Sequence, residues 1–308
     1  MILLTGGKTG GHITPLIALG KRINNVLYIG NETGLEKKVC KENNIPFLGL
    51  NIKNNIFNII KNVFKIRIKK VDCIISTGGF ISIPVLIYGF IHRIPIYLIE
   101  GNVEFGVTNK FFSYFSKKVF LAYEQPKMKN KYVLTGLPTL INTNIYEHFD
   151  FDILIIGGSL GSKPLCDLVY SLNEHYRIVL IAGRYKDEYK NIKNVRVFDY
   201  RKDLNSLMKQ AKVIISRAGA MTTYEIFLLN KPSVIIPSKK TKNNHQVINA
   251  KYFEKKGLAL YLDEDDANYK INDYIHKILD SVYFNIKMIE SQNRIVKRNS
   301  VDLILEEI

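Results

Sequence analysis

Val213-Ile214-Ile215-Ser216-Arg217-Ala218-Gly219-Ala220-Met221-Thr222-Thr223-Tyr224-Glu225 reads as a buried strand, a turn of small residues and then a helix. Val213, Ile214 and Ile215 form an apolar run of strand length. Gly219 stands where the chain reverses, and its small neighbours let a ligand approach the backbone. Met221, Ile226, Leu228 and Leu229 then follow a helical pattern. A helix starting at such a turn directs free N–H groups and the positive end of its dipole at the loop, which suits a phosphate. Glu225, about one turn in, can accept two hydrogen bonds from a ribose diol. The plainer alternative is a carboxylate favoured there by the dipole alone.

Working outward, the same order recurs. Ile153-Leu154-Ile155-Ile156 reads as a strand, and Gly157-Gly158-Ser159-Leu160-Gly161-Ser162-Lys163 as a glycine-rich loop opening a helix. Further strands are expected at 178–181, 195–197, 234–236 and 258–261, and residues 271–308 read as mostly helical. The first half starts alike, with Ile2-Leu3-Leu4-Thr5 leading into Gly6-Gly7-Lys8-Thr9-Gly10-Gly11-His12-Ile13-Thr14-Pro15 and a helix from Leu16. Strands follow at 26–29, 47–50, 73–75, 96–99, 119–121 and 132–134. Strand-helix alternation of this kind predicts α/β architecture, two doubly wound Rossmann-like domains with parallel sheets, facing across a cleft. Gly136-Leu137-Pro138 and Asn142-Thr143-Asn144 read as the connector. The expected domains are 1–145 and 146–308, with room for the last helix to pack back on the first. Ligands then bind beyond the carboxyl ends of the strands, at residues 6–12, Ser76-Thr77-Gly78-Gly79 and Glu100-Gly101-Asn102.

Apolar residues make up 46% and charged residues 23% of the 308, so the chain is globular, not disordered. Met1-Ile2-Leu3-Leu4 runs straight into the first strand, and no leader peptide is expected. The longest apolar run, 80–91, contains Pro84 and is too short to span a bilayer. Cys40, Cys73 and Cys166 have no ligand spacing and read as buried free thiols. A net charge of +16, from 44 basic and 28 acidic residues, suits an anionic partner or reflects composition alone. With no zinc-finger or aromatic RNA-binding motif, it does not make a nucleic-acid protein. Gly7-Lys8-Thr9 lacks the spacing of a Walker A loop.

His12 sits at a glycine loop and a helix start, where the dipole favours neutral imidazole, a usable base; a mere cap is the alternative. Ile56, Ile59, Ile60, Val63 and Phe64 share one helical face, with Asn62, Lys61 and Lys65 on the other side. Residues 53–70 carry Lys53, Lys61, Lys65, Arg67, Lys69 and Lys70 and no acid. The helix is either an interfacial one held by anionic lipid or an ordinary crossover with its apolar face on the sheet. Phe111, Phe112, Tyr114 and Phe115, followed by Lys117 and Lys118, invite the same two readings. His245 and Gln246 start a helix after a basic loop, within reach of a sugar or base.

Taken in order, residues 6–15, Thr77-Gly78-Gly79-Phe80, Glu100-Gly101-Asn102 with Gly106-Val107-Thr108-Asn109-Lys110, 157–161, 216–225 and 245–250 make the chain resemble the MurG family of N-acetylglucosaminyltransferases of peptidoglycan synthesis. The resemblance implies the two-domain GT-B fold. It implies inverting transfer of N-acetylglucosamine from UDP-GlcNAc to the C4 hydroxyl of the MurNAc sugar of lipid I, the undecaprenyl-diphosphate-linked MurNAc-peptide, giving lipid II. It implies peripheral attachment to the cytoplasmic face of an anionic membrane and no cofactor requirement, with stimulation by a divalent metal left open and no protein metal site. By motif, Glu225 binds the ribose diol. Gly158, Ser159, Gly161, Lys163, Arg217, Gly219, Ala220, Met221 and Thr222 surround the nucleotide and diphosphate. His245 and Gln246 contact the donor, and Asn102 helps hold the acetamido sugar. Thr9, Gly10, Gly11, Gly78 and Gly79 hold the acceptor diphosphate, with His12 the base. The helix at 54–65, with Phe90 nearby, meets the membrane. Lys8, Ile99 and Gly101 depart from the family pattern, as does Lys163, where Arg is common. Lys8 is strained if its position needs a positive φ, or its ammonium assists a phosphate. The alternatives are a GT-B enzyme acting on another lipid such as diacylglycerol, and a non-catalytic lipid-docking scaffold.

Overall fold

The computed structural model describes every residue except 142–146, 159–160, 173 and 242–243. The chain divides into two compact units, Met1–Leu140 with Lys297–Ile308, and Ile141–Val296. In the first, β1 (Ile2–Gly6), β2 (Val26–Asn31), β3 (Phe47–Leu50), β4 (Cys73–Gly78), β5 (Ile96–Glu100), β6 (Lys118–Leu121) and β7 (Tyr132–Leu134) form a seven-stranded sheet ordered β3-β2-β1-β4-β5-β6-β7. All of its pairings are parallel. The crossovers carry α1 (Gly10–Gly20), α2 (Leu35–Glu42), α3 (Ile56–Lys65), α4 (Ile83–Ile91) and α5 (Val107–Phe112). Leu3, Leu4, Ile74, Ile75, Leu98 and Ile99 are buried on both faces of the central strands, which is why these strands are nearly unbroken apolar runs.

The second unit has β8 (Ile153–Ile156), β9 (Ile178–Ile181), β10 (Val195–Phe198), β11 (Val213–Ser216), β12 (Ser233–Ile235) and β13 (Leu260–Tyr261), in the order β10-β9-β8-β11-β12-β13. These pairings are parallel too. Its helices are α6 (Lys163–Cys166), α7 (Val169–Leu172), α8 (Lys186–Tyr189), α9 (Leu204–Gln210), α10 (Ala220–Leu228), α11 (His245–Lys255), α12 (Ala267–Asp280) and α13 (Val282–Ile295). The last helix, α14 (Ser300–Leu305), belongs to the first unit. There Arg22 donates to Asp302 at 2.9 Å, and Lys118 pairs with Glu307.

Each sheet reverses its winding once, between β1 and β4 in the first unit and between β8 and β11 in the second. Ligands bind at such switch points, beyond the strand ends. The β1/β4 register runs from Ile2↔Cys73 to Thr5↔Ser76 and then slips, so that Gly6 faces Gly78. A Cβ on Gly6 would lie 2.1 Å from Thr77 Oγ1, so no side chain fits there.

Three expectations are corrected. The strand expected at 258–261 contracts to Leu260–Tyr261. The first helix begins at Gly10, not Leu16, so Gly10, Gly11 and His12 form its first turn. Pro15 lies inside it, where its ring fits the helical φ but removes one backbone N–H donor. Asn62, expected on the polar side of α3, is buried, and its Nδ2 donates to the carbonyls of Asn51 and Asn58, each at 2.9 Å. Pairing that Nδ2 turns the helix. α3 therefore buries only Ile59 and Val63 of its apolar set, and exposes Ile56, Ile60, Phe64 and also Phe57. Among the described residues no helix is long and apolar enough to cross a membrane.

Candidate active site

In the first unit the switch point is built around His12. Thr9 is the extended N-cap residue of α1, and no side chain caps the helix; His12 N donates to the Thr9 carbonyl at 3.1 Å, which leaves the N–H groups of Gly10 and Gly11 for a ligand. His12 Nδ1 lies 3.0 Å from the carbonyl of Thr77, while Thr77 Oγ1 donates to the carbonyl of His12 at 2.7 Å. A carbonyl only accepts, so Nδ1 carries the proton and the lone pair of a neutral ring is on Nε2. A Cβ on Gly79 would lie 3.9 Å from that Nε2. Gly78 and Gly79 both take positive φ, 78° and 79°, and a Cβ on Gly78 would lie 2.4 Å from Asn109 Oδ1. Glycine is thus required where β4 passes under the histidine. Glu36 is wholly buried against Gly7, where a Cβ would come within 2.9 Å of its carboxyl, and it accepts from Asn31 N at 2.8 Å.

Lys8 has a φ of 80°, in the left-handed region. For a residue with a Cβ that costs ~1–2 kcal/mol. Lys8→Gly is expected to stabilise the protein by about 1 kcal/mol in urea titration. A loss of stability would mean that the ammonium repays the strain within the free protein.

The loop after β5 is tied together by Glu100, which is buried. Its Oε1 accepts from the N and Nδ2 of Asn102, both at 3.0 Å, and its Oε2 from Gly106 N at 2.9 Å and Asn109 Nδ2 at 3.0 Å. Asn109 Nδ2 also donates to the carbonyl of Ile99 at 3.0 Å. Glu100 therefore fixes Asn102. Thr77, Glu100 and Asn109 were visible in the sequence only as members of motifs, without a role, because hydrogen bonds to backbone carbonyls leave no spacing signal.

In the second unit the loop after β8 turns through Gly158, with φ 82°, and Gly161, with φ 75°. A Cβ on Gly161 would lie 2.3 Å from the carbonyl of Ala182, so this loop is pressed onto the end of β9. Ser159 lies outside the described residues. Lys163 is turned to its neighbours: Nζ lies 2.6 Å from Glu188 and 3.4 Å from the hydroxyl of Tyr189, and the Glu188 contact raises its pKa. Arg217 is committed as well. It donates to Ser162 Oγ from Nη2 at 2.6 Å and to the carbonyl of Ile236 from Nη1 at 3.1 Å, and it pairs with Glu264.

Gly219 is the N-cap of α10 and offers no side chain; a Cβ there would meet nothing within 4 Å. Ala220, Met221 and Thr222 form the first turn, with their N–H groups uncapped by any side chain. Buried Asn249 donates to the carbonyl of Ala218 at 3.1 Å and pins the turn. Glu225, further along α10, has no hydrogen-bond or ion-pair partner for its carboxylate among the described residues. Burial pushes its pKa up to about 7. A desolvated, unpaired carboxylate gains most from hydroxyl donors. His245 opens α11, and Gln246 accepts from Ser238 N at 2.9 Å, which orients its amide. Among the described residues no group of three His, Cys, Asp or Glu could hold a metal ion.

On the first unit, Phe57 and Phe64 of α3 are 82% and 74% exposed, more than an ordinary crossover helix leaves in water. Lys61 and Lys65 flank them. Phe90, Phe111 and Phe115 are also exposed and touch ring to ring through Phe115, at 4.8 and 5.6 Å between centroids.

The two glycine-loop units match two family models, the glycosyltransferase family 28 N-terminal domain over residues 1–121 and the C-terminal domain over 152–307. A UDP-N-acetylglucosamine--N-acetylmuramyl-(pentapeptide) pyrophosphoryl-undecaprenol N-acetylglucosamine transferase from Clostridium botulinum strain Alaska E43 is 34% identical, over 100% of this chain and 97% of the relative. The chain belongs to the MurG family of glycosyltransferases. A transferase of the same description from Sulfurihydrogenibium is 29% identical over 96% of each chain. The crystal structure of Acinetobacter baumannii MurG superposes with a TM-score of 0.83, covering 100% of this chain and 98% of that one at 23% identity. The calicheamicin glycosyltransferase CalG4 superposes at 0.73 with 12% identity. The MurG-family chain thus has the GT-B fold and is a sugar-transferring enzyme of peptidoglycan synthesis.

Proposed function

We propose that this enzyme transfers N-acetylglucosamine from UDP-GlcNAc to the C4 hydroxyl of the MurNAc sugar of lipid I, with inversion, forming lipid II. The observation that carries the reading is the full-length relationship to transferases so described, together with the unpaired Glu225 beside an uncapped helix start. In this reading Glu225 takes the ribose hydroxyls. The first turn of α10 and the Gly158–Gly161 loop take the diphosphate, so departure of UDP is met by N–H dipoles without a required metal. Lys163 reaches that charge only by exchanging Glu188. Gln246, His245 and Asn102 position the sugar. Thr9, Gly10, Gly11, Gly78 and Gly79 take the acceptor diphosphate at the start of α1. His12 Nε2 removes the C4 hydroxyl proton as that oxygen bonds to C1 of the donor and the C1–O bond to UDP breaks.

The apolar face of α3, with Lys61, Lys65 and Phe90, docks on an anionic membrane, the cytoplasmic leaflet in this reading, where the acceptor lipid resides. Phe57→Ser/Phe64→Ser is expected to lower partition onto phosphatidylglycerol vesicles at least tenfold, from the ~1.5–3 kcal/mol that burying each ring contributes. Unchanged flotation would remove α3 from the interface. Release of UDP from UDP-GlcNAc, measured with and without a lipid I analogue, tests the reaction. Acceptor-dependent release supports it. Donor binding without release points to another acceptor, and no UDP-sugar binding overturns it.

A further inference from the structure

Glu36 is wholly buried beneath the loop that leads from β1 into α1. It stands in the first turn of α2, where the helix dipole favours a negative charge. Three glycines make room for it: a Cβ on Gly7, Gly30 or Gly34 would come within 2.9, 2.6 or 2.4 Å of its side chain. One oxygen, Oε1, accepts from Asn31 N at 2.8 Å. The other, Oε2, has no hydrogen-bond partner among the described residues. Leaving a buried carboxylate oxygen without a donor costs free energy. Against it lies the loop, with Oε2 3.1 Å from where a Cβ on Gly7 would stand. The root of the loop is fixed, since the Tyr28 hydroxyl donates to the Gly6 carbonyl at 2.7 Å. Beyond Gly6, the N–H groups of Gly7, Lys8 and Thr9 have no acceptor among the described residues. An acceptor without a donor therefore lies against a segment whose donors have no acceptor.

Gly7 to Thr9 lead into the first turn of α1, which takes the acceptor diphosphate in the reading above. We propose that Glu36 is a positioning residue for the acceptor: its Oε2 accepts an N–H of the Gly7–Lys8 segment when the diphosphate is bound, and so locks the loop in its binding shape. The inference rests on that reading for the anion. His12 stays outside the effect, because its ring is held by the Thr77 carbonyl and not by the loop. The donor stays outside it as well, since the residues assigned to it, Asn102 apart, are in the second unit. Two plainer roles predict different results. If Glu36 acted only through its charge, it would repel an anion, and neutralising it would tighten binding. If Glu36 only held the fold together, removing its charge would lower stability. An oxygen with no partner in the free chain stabilises nothing there.

The test compares the full chain with three variants. Glu36→Gln keeps the size of the side chain and an acceptor for Asn31 N, and puts an NH2 donor where Oε2 stands. Gly7→Ala keeps Glu36 but pushes the loop off it. Glu32→Gln removes the same charge from an exposed residue just after β2. Calorimetric titration with octyl diphosphate reads the loop. Initial rates with a short-chain lipid I analogue read KM and kcat, and urea titration reads stability. Glu36→Gln is expected to bind octyl diphosphate at least about tenfold more weakly, the effect of one hydrogen bond to a charged acceptor. Its acceptor KM rises by the same factor, while kcat and the Kd of UDP-GlcNAc stay at wild-type values and the urea midpoint is not lowered. Gly7→Ala weakens binding to a similar degree, and Glu32→Gln matches wild type. The assignment is overturned by unchanged or tighter binding in Glu36→Gln or Gly7→Ala, by an equal loss in Glu32→Gln, by a lowered urea midpoint in Glu36→Gln, or by absence of octyl diphosphate binding to wild type. Binding that depends on Glu36, without transfer to the lipid I analogue by wild type, would sustain the role of Glu36 and overturn the proposed acceptor. Transfer by wild type, with binding unchanged in Glu36→Gln, would do the reverse.

Discussion

His12→Ala is expected to lower turnover of a lipid I analogue by roughly 10²–10⁴-fold while leaving UDP-GlcNAc affinity unchanged. The split follows from where the residue sits. His12 belongs to the first unit, and the residues assigned to the donor belong, Asn102 apart, to the second. The ring is held by its Nδ1 on the Thr77 carbonyl at 3.0 Å, an arrangement that sets both its tautomer and its direction. His12→Gln keeps a donor to that carbonyl but has no basic nitrogen, so it should fold and stay as inactive as the alanine variant. Single-turnover kinetics with a directly measured donor Kd are the check. Activity in His12→Gln near the wild-type level would assign the histidine to ordering the loop and leave the base elsewhere. Loss of donor binding in His12→Ala would mean that the histidine shapes the donor site as well.

Glu225→Gln is expected to weaken UDP-GlcNAc binding by at least 100-fold, since two hydrogen bonds to a charged acceptor contribute ~1.5–3 kcal/mol each. The raised pKa of about 7 adds a pH signature. Diol donors favour the ionised carboxylate, so binding expels the proton that burial retains. The Kd of wild type should therefore rise nearly tenfold for each unit of pH below about 7. Glu225→Gln should show no such rise. UDP-GlcNAc is the ligand for this test, because the sugar ester removes the terminal phosphate ionisation of UDP from the same pH range.

Stability should move the other way. The folded carboxyl holds its proton more tightly than an ordinary glutamate at 4.5, so its favourable contribution is complete below that value and is lost as pH rises through about 7. Above pH 7 Glu225→Gln should exceed wild type in stability by at most about 3 kcal/mol. A variant that binds worse and unfolds later is the signature of a group strained for its ligand. Equal stability at pH 8, or a flat Kd profile in wild type, would remove the desolvated carboxylate from the account.

Several site features were legible because they depend on local backbone chemistry. Gly78, Gly79, Gly158 and Gly161 mark ligand loops in the sequence, and the structure adds that all four take positive φ. The starts of α10 and α11 were readable from the switch between apolar runs and small or polar residues. Lys163 and Arg217 were placed near the nucleotide by motif. The structure shows what occupies them in the free chain, Glu188 for the one and Ser162, Ile236 and Glu264 for the other. Those partners lie far along the sequence, and no periodicity connects them. The α3 helix shows the limit of a face drawn from spacing alone. Its apolar stripe was clear, but the buried amide of Asn62 rotated it, and Phe57 took a place in the exposed face that spacing had not assigned to it.

Taken by itself, the sequence determined the alternation of strands and helices, the two glycine loops at the heads of the two halves and the family. These follow from hydrophobic period and backbone freedom, which are properties of neighbouring residues. Only the tertiary structure decided that Thr77 sets the tautomer of His12, that Glu100 holds Asn102, and that the Glu225 carboxylate has no partner among the described residues. Each of these is set by desolvation or by a hydrogen bond between residues that parallel crossovers bring together. The strength of both depends on what surrounds a group in space, which the order of residues along the chain does not record.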